Sequence, residues 1–228
     1  PVMRRRFNLT KDDAEKNSRM YICGLGVYEA YINEKKVGNE YLAPGYHSYD
    51  FHLQTQTYDV TGYLKEGENE IKVILGDGWF KGRLGFDGGF TNVYGDCCQL
   101  IAELYIGNIN EPIVFTDENW EYSKSQIVES NIYDGEIYDA RIEDELLKNS
   151  SWKKVVIIDA TNCGKLCDRY SLPIVKQEEF EPEIIKTPKG ETVLDFAQNL
   201  TGWVEFDAKL PKDVIVTLTA SEILQDGS

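Results

Sequence analysis

The stretch Cys98-Gln99-Leu100-Ile101-Ala102-Glu103-Leu104-Tyr105-Ile106 decides the fold. Cys98, Leu100, Ala102, Leu104 and Ile106 alternate with Gln99, Ile101, Glu103 and Tyr105, so an extended chain turns one apolar face towards a core. The same period of two recurs on either side. Ile71, Val73 and Leu75 repeat it upstream, and Val214, Val216, Leu218 and Ala220 repeat it downstream, with Trp203 to Asp207 read as a further strand. Tyr28 to Ile32 and Lys35 to Val37 flank Asn33-Glu34 as a hairpin, and Glu66-Gly67-Glu68-Asn69 marks a turn. Helical periodicity is confined to Arg141 to Lys148, where Ile142, Leu146 and Leu147 predict about two turns. Strands interrupted by turns every ten or so residues predict an all-β chain, a jelly-roll-like β-sandwich with one short helix rather than a parallel α/β sheet.

Composition agrees. Among 228 residues, 12% are aromatic, 14 of them Tyr, which suits pleated surfaces. The net charge of −15 repels phosphate backbones, and Arg4-Arg5-Arg6 is too short a basic run to reverse that, so no nucleic-acid partner is expected. No apolar run reaches the roughly 18 residues of a membrane-spanning helix, so no membrane partner is expected either. The five cysteines have neither a disulfide-framework nor a zinc spacing, which predicts free thiols in a reducing compartment such as the cytoplasm. No signal peptide opens the chain, and a start at Pro1 reads as a processed or excised piece. Prolines 173, 182 and 188 and the charges of Lys176 to Glu179 mark a linker over 169–187. A first sandwich then covers 1–168, and 188–228 begins a second one too short to close its own core.

Gly76-Asp77-Gly78-Trp79-Phe80-Lys81-Gly82-Arg83-Leu84-Gly85 concentrates the chemistry. Trp79 could stack on the apolar face of a sugar while Asp77, Lys81 and Arg83 bind its hydroxyls. The alternative is a tight turn in which Trp79 caps the core. Asp77, Asp87, Asn92 and Asp96 supply oxygen ligands for a possible Ca²⁺. Asp134 and Glu136, with Tyr138 on one strand face, have the form of a glycosidase carboxylate pair, but a structural network pairing Arg141 with a nearby carboxylate explains the segment better. His47 and His52 lie near no nucleophile elbow, and Gly24-Leu25-Gly26 leads into a strand, so neither a catalytic triad nor a nucleotide fingerprint is present.

In order along the chain, several segments resemble the bacterial α-L-rhamnosidases. They are Gly24 to Glu29, Tyr31-Ile32-Asn33, Leu42-Ala43-Pro44-Gly45, Tyr58-Asp59-Val60-Thr61 and Leu75 to Phe80. Asp134-Gly135-Glu136, Tyr138-Asp139-Ala140-Arg141 and Asp195 to Val204 continue the series. Glu34 and Ala197 stand where the family commonly has Gly. The resemblance implies a non-catalytic N-terminal part of an inverting glycoside hydrolase, whose (α/α)₆ catalytic barrel would be its partner. It implies no catalytic residue here. In some relatives a similar sandwich binds rhamnose with calcium, which makes a rhamnose-containing carbohydrate a possible partner through Gly76 to Gly85. Self-association through uncovered β edges at the second sandwich is a further expectation.

Overall fold

A computed structural model describes residues 1–107, 110–142, 151–158, 163–211 and 213–223. The described chain divides into two compact units, Pro1–Val175 and Lys176–Ser228. In the first unit the chain order opens with β1 (Val2–Leu9), α1 (Lys11–Ala14), β2 (Ser18–Leu25), β3 (Val27–Ile32) and β4 (Lys35–Lys36). It continues with β5 (Glu40–Tyr41), β6 (His52–Asp59), β7 (Gly67–Gly76), α2 (Gly78–Lys81), β8 (Gln99–Ile106) and β9 (Val114–Phe115). Short strands follow: β10 (Glu121–Ser123), β11 (Ile127–Asn131), β12 (Gly135–Tyr138), β13 (Lys153–Lys154), β14 (Lys165–Asp168) and β15 (Ile174–Val175).

Two sheets enclose the core. One runs β13-β10-β1-β7-β3-β4 and the other β14-β6-β2-β8-β9. Tyr28, Ala30, Ile32, Ile71, Val73 and Leu75 from the first meet Met20, Ile22, Ala102, Leu104 and Ile106 from the second in one buried cluster. A single interior shared by two sheets is a β-sandwich, so the chain is all-β as the alternation predicts. Trp120, 1% exposed, closes this core and donates its indole N–H to the Phe115 carbonyl at 2.9 Å.

The predicted hairpin forms. Asn33 and Glu34 adopt φ of 51° and 66°, the paired left-handed geometry that matches strand twist. The Asn33 amide donates to the Tyr63 carbonyl and to Asn69 Oδ1, both at 2.8 Å, so the turn is tied into the sandwich. Gly67, read as part of a turn, already lies in β7, because the left-handed φ of 83° at this Gly lets it pair with Leu9. The Arg4-Arg5-Arg6 run dissolves into ion pairs. Arg4 meets Glu121 at 3.0 Å, Arg5 meets Asp117 at 3.9 Å and Arg6 meets Glu70 at 2.7 Å.

Residues 169–175, the first part of the stretch read as a linker, belong to the first unit. There β15 pairs with β5, just as β14 pairs in parallel with β6. The predicted helix over 141–148 lies mostly outside the described residues; its start is a 3₁₀ turn at Ala140–Ile142. In the second unit β16 (Glu183–Lys186) pairs with β17 (Thr192–Asp195). Trp203 to Asp207 and Val214 to Ser221 form no strand with any described residue, contrary to the alternation, because a strand needs a ladder partner as well as a pattern. Among the described residues no helix is long and apolar enough to cross a membrane.

Candidate functional site

The candidate loop begins where β7 ends at Gly76. Residues 78–81 then wind into one helical turn, α2, in place of an open loop. Gly78 makes this possible: its φ is 54°, and a Cβ there would lie 2.8 Å from a Val27 methyl. Winding the turn separates the two aromatics. Phe80 is buried, whereas Trp79 is half-buried and packs on the edge of a second apolar cluster containing Cys23, Leu25, Tyr49 and Leu53.

The polar candidates are committed inside the protein. Asp77 accepts from Lys81 Nζ at 3.0 Å, and this hydrogen bond raises the lysine pKa. Arg83 donates to both oxygens of Asp134, with contacts of 2.7 to 3.0 Å. The hydrogen bond from Arg83 pulls the Asp134 pKa down. Sequence reading places Asp134 and Glu136 together on a strand; the structure puts Asp134 in the turn before β12 and spends it on Arg83. Arg141 likewise takes Asp139, donating at 2.8 and 2.7 Å, and holds that carboxyl down to about 2.

The recess beside Trp79 draws on other residues. It has a volume of about 270 Å³ and is lined by Tyr41, Leu42, Tyr46, Trp79, Arg169, Ser171 and Leu172, among others. Tyr46 stands edge-on to Trp79, with centroids 6.3 Å apart, and its hydroxyl lies 3.3 Å from that of Tyr94. Arg169 pairs with the buried Glu40, which also accepts from the Tyr58 hydroxyl. Gln54 Oε1 accepts from the backbone N–H groups of Tyr170 and Ser171 and from the Ser171 hydroxyl at 3.0 Å. Segment 169–171 is thereby fixed as one wall. Asp77, Lys81 and Arg83 do not line this recess. Sequence reasoning named Trp79 but not Tyr46 and Arg169, which line the same recess; the signal for Tyr46 was its place after Leu42-Ala43-Pro44-Gly45.

Calcium chemistry requires several oxygens converging on one point. Asp77 is engaged by Lys81, while Asp87 and Asn92 are exposed turn residues with φ of 52° and 58°. Among the described residues no group of three or more His, Cys, Asp or Glu side chains could hold a metal ion. Among the described residues, Asp77, Asp87 and Asp96 form no such group. The five cysteines are free.

The sequence profile of the α-L-rhamnosidase N-terminal domain matches residues 13–178, and that of the bacterial α-L-rhamnosidase concanavalin-like domain matches residues 185–228. An α-L-rhamnosidase of Formosa agariphila is 31% identical over 97% of this chain, and one of Streptomyces avermitilis is 30% identical over 99%. The chain spans about a quarter of the length of these relatives, 24% and 22%. Among solved structures, native α-L-rhamnosidase from Aspergillus terreus superposes with a TM-score of 0.79 at 35% identity, over 89% of this chain and 24% of that one. The Streptomyces avermitilis α-L-rhamnosidase, solved in complex with L-rhamnose, gives 0.77 at 28% identity, over 87% of this chain and 20% of that one. The chain belongs to the α-L-rhamnosidase N-terminal domain family, followed by sequence of the concanavalin-like domain of the same enzymes.

Proposed function

We propose that this chain is a non-catalytic accessory module of an α-L-rhamnosidase-like glycoside hydrolase, supporting the catalytic domain of a longer parent. The observation that carries this is the second unit. Ile184, Trp203, Phe206, Val214, Ile215, Val216, Leu218 and Ile223 are all between 47% and 89% exposed there. Isolated apolar side chains at a surface are ordinary, but a unit that leaves nearly all of them uncovered needs another protein surface. In the parent that surface is the rest of the concanavalin-like sandwich and the barrel. Alone, the chain is expected to self-associate through these residues. Sedimentation equilibrium over a range of concentrations checks this: the native chain should associate, and Val216→Asp combined with Leu218→Asp should shift it towards monomer. A native chain that stays monomeric at all concentrations would count against the reading.

The second reading is sugar binding at Trp79, favoured by the recess that the half-buried indole lines with Tyr46 and Arg169. The relative solved with L-rhamnose makes that sugar the first to try. Calorimetric titration of L-rhamnose, with Ca²⁺ and with chelator, should give saturable heat for the native protein and a loss of at least tenfold in affinity for Trp79→Ala, about 1.4 kcal/mol. Absence of saturable heat in both proteins sinks this reading. A response that disappears with chelator would make calcium part of that site. The free thiols support a reducing compartment for the parent.

A further inference from the structure

A second concavity, of about 400 Å³, lies on the outer face of the five-stranded sheet and shares no lining residue with the Trp79 recess. Its floor follows from strand register. Tyr21 stands opposite Glu103, and Cys23 opposite Ile101, in the β2–β8 ladder. Their neighbours Met20, Ile22, Ala102 and Leu104 point into the core, so these four side chains lie on the opposite face, where Tyr21, Ile101 and Glu103 reach the groove and Cys23 is buried beneath it in the second apolar cluster. The wall is β14. Asp168 pairs with Thr55 in the parallel β14–β6 ladder, and Leu166, 51% exposed, stands beside them. Tyr21 is held edge-on to Tyr105, with centroids 5.7 Å apart at 90°, so its ring offers a fixed surface. The Tyr105 hydroxyl donates to Glu103 at 2.9 Å and orients that carboxylate.

The geometry points to this groove as a binding site for a neutral pyranose unit, distinct from the Trp79 recess. Its size falls within the range of small-ligand sites, roughly 300–1,000 Å³. Tyr21, Ile101 and Leu166 offer apolar surface to the C–H face of a sugar ring. Glu103, Asp168 and Thr55 offer acceptors to its hydroxyls, and a hydroxyl is the donor that a neutral sugar has in abundance. Among the described residues no Lys, Arg or His lines the groove, although Arg19 approaches the Tyr21 hydroxyl at 3.5 Å from outside it. Two carboxylates in a chain of net charge −15 exclude phosphorylated, sulfated and uronic-acid ligands. A small cation would use the carboxylates but leave the aromatic floor idle.

An NMR titration of the full chain with methyl α-L-rhamnopyranoside and, separately, methyl β-D-glucopyranoside tests the assignment. At least one of them should shift the amide resonances of Tyr21, Glu103 and Asp168 saturably. Tyr21→Ala should weaken that response at least tenfold, and Trp79→Ala should leave it unchanged. The same shifts lost in Trp79→Ala but kept in Tyr21→Ala would move the site to the recess and overturn the proposal. So would silence of these amides towards both glycosides. Should Tyr21→Ala fail to fold, Glu103→Gln keeps the shape of the half-buried side chain and must weaken the response; an unchanged affinity in that variant also overturns the assignment.

Discussion

His47 is 3% exposed, with the ring of Tyr49 at 4.3 Å and that of His52 at 6.0 Å. Neither of its ring nitrogens has a protein partner among the described residues, and the Tyr49 hydroxyl is similarly buried and unpaired. Burial, helped by the nearby His52, pushes the imidazole pKa down from 6.5 to about 4. The unfolded chain therefore binds a proton that the folded chain refuses. Stability from this residue is complete above about pH 6.5 and is lost as the pH falls towards 4, up to about 3 kcal/mol in all. Urea unfolding at neutral pH and near pH 4.5, compared between the native chain and His47→Gln, should show a larger acid loss in the native protein. Equal losses would show that His47 is not the sensor. Trp79 differs in kind: its role depends on a half-exposed face, and no change of charge accompanies it.

At the level of elements, legibility followed length. β8 and β7 carry eight and ten residues, and the alternation of Leu100 to Ile106 and of Ile71 to Leu75 announced both. The β3–β4 hairpin was equally legible, because Asn33 both tolerates positive φ and bonds across the turn. The strands β14 and β15, of four and two residues, are too short to show a period, and their partners lie more than a hundred residues earlier. Pairing of that range is set by the whole sandwich and not by local pattern. The single turn of α2 escaped for the same reason. For the site, sequence identified Trp79 and the nearby charges but not who takes those charges. Arg83 is answered by Asp134, 51 residues on, and no local rule reports that.

For the molecule as a whole, the carboxylates of segment 134–139 bear on what the chain does unaided. Hydrolysis of a glycoside with inversion needs a proton donor and a separate base about 6.5–9.5 Å apart. Asp134 and Asp139 are each clamped by an arginine, and Glu136, whose pKa is raised by burial and then by Glu29, has as its neighbouring carboxylate a Glu29 already held by Lys36 at 2.6 Å and by the Tyr31 hydroxyl at 2.7 Å. We expect no turnover of an aryl α-L-rhamnoside by this chain alone, measured by release of the aryl alcohol at high protein concentration. Turnover abolished by Glu136→Gln would overturn that. Segment 169–175 has a consequence of its own, in time. Arg169 closes over Glu40 across 129 residues of sequence, as β14 and β15 close over β6 and β5. At roughly 5–20 residues per second of synthesis, Glu40 and the rim of β6 wait about 6–26 s on the ribosome for their cover. Through that interval the nascent first unit presents a carboxylate, a strand edge and the Trp79 recess without its arginine wall. The last-made piece of this unit is therefore the one that covers strands made in its first third.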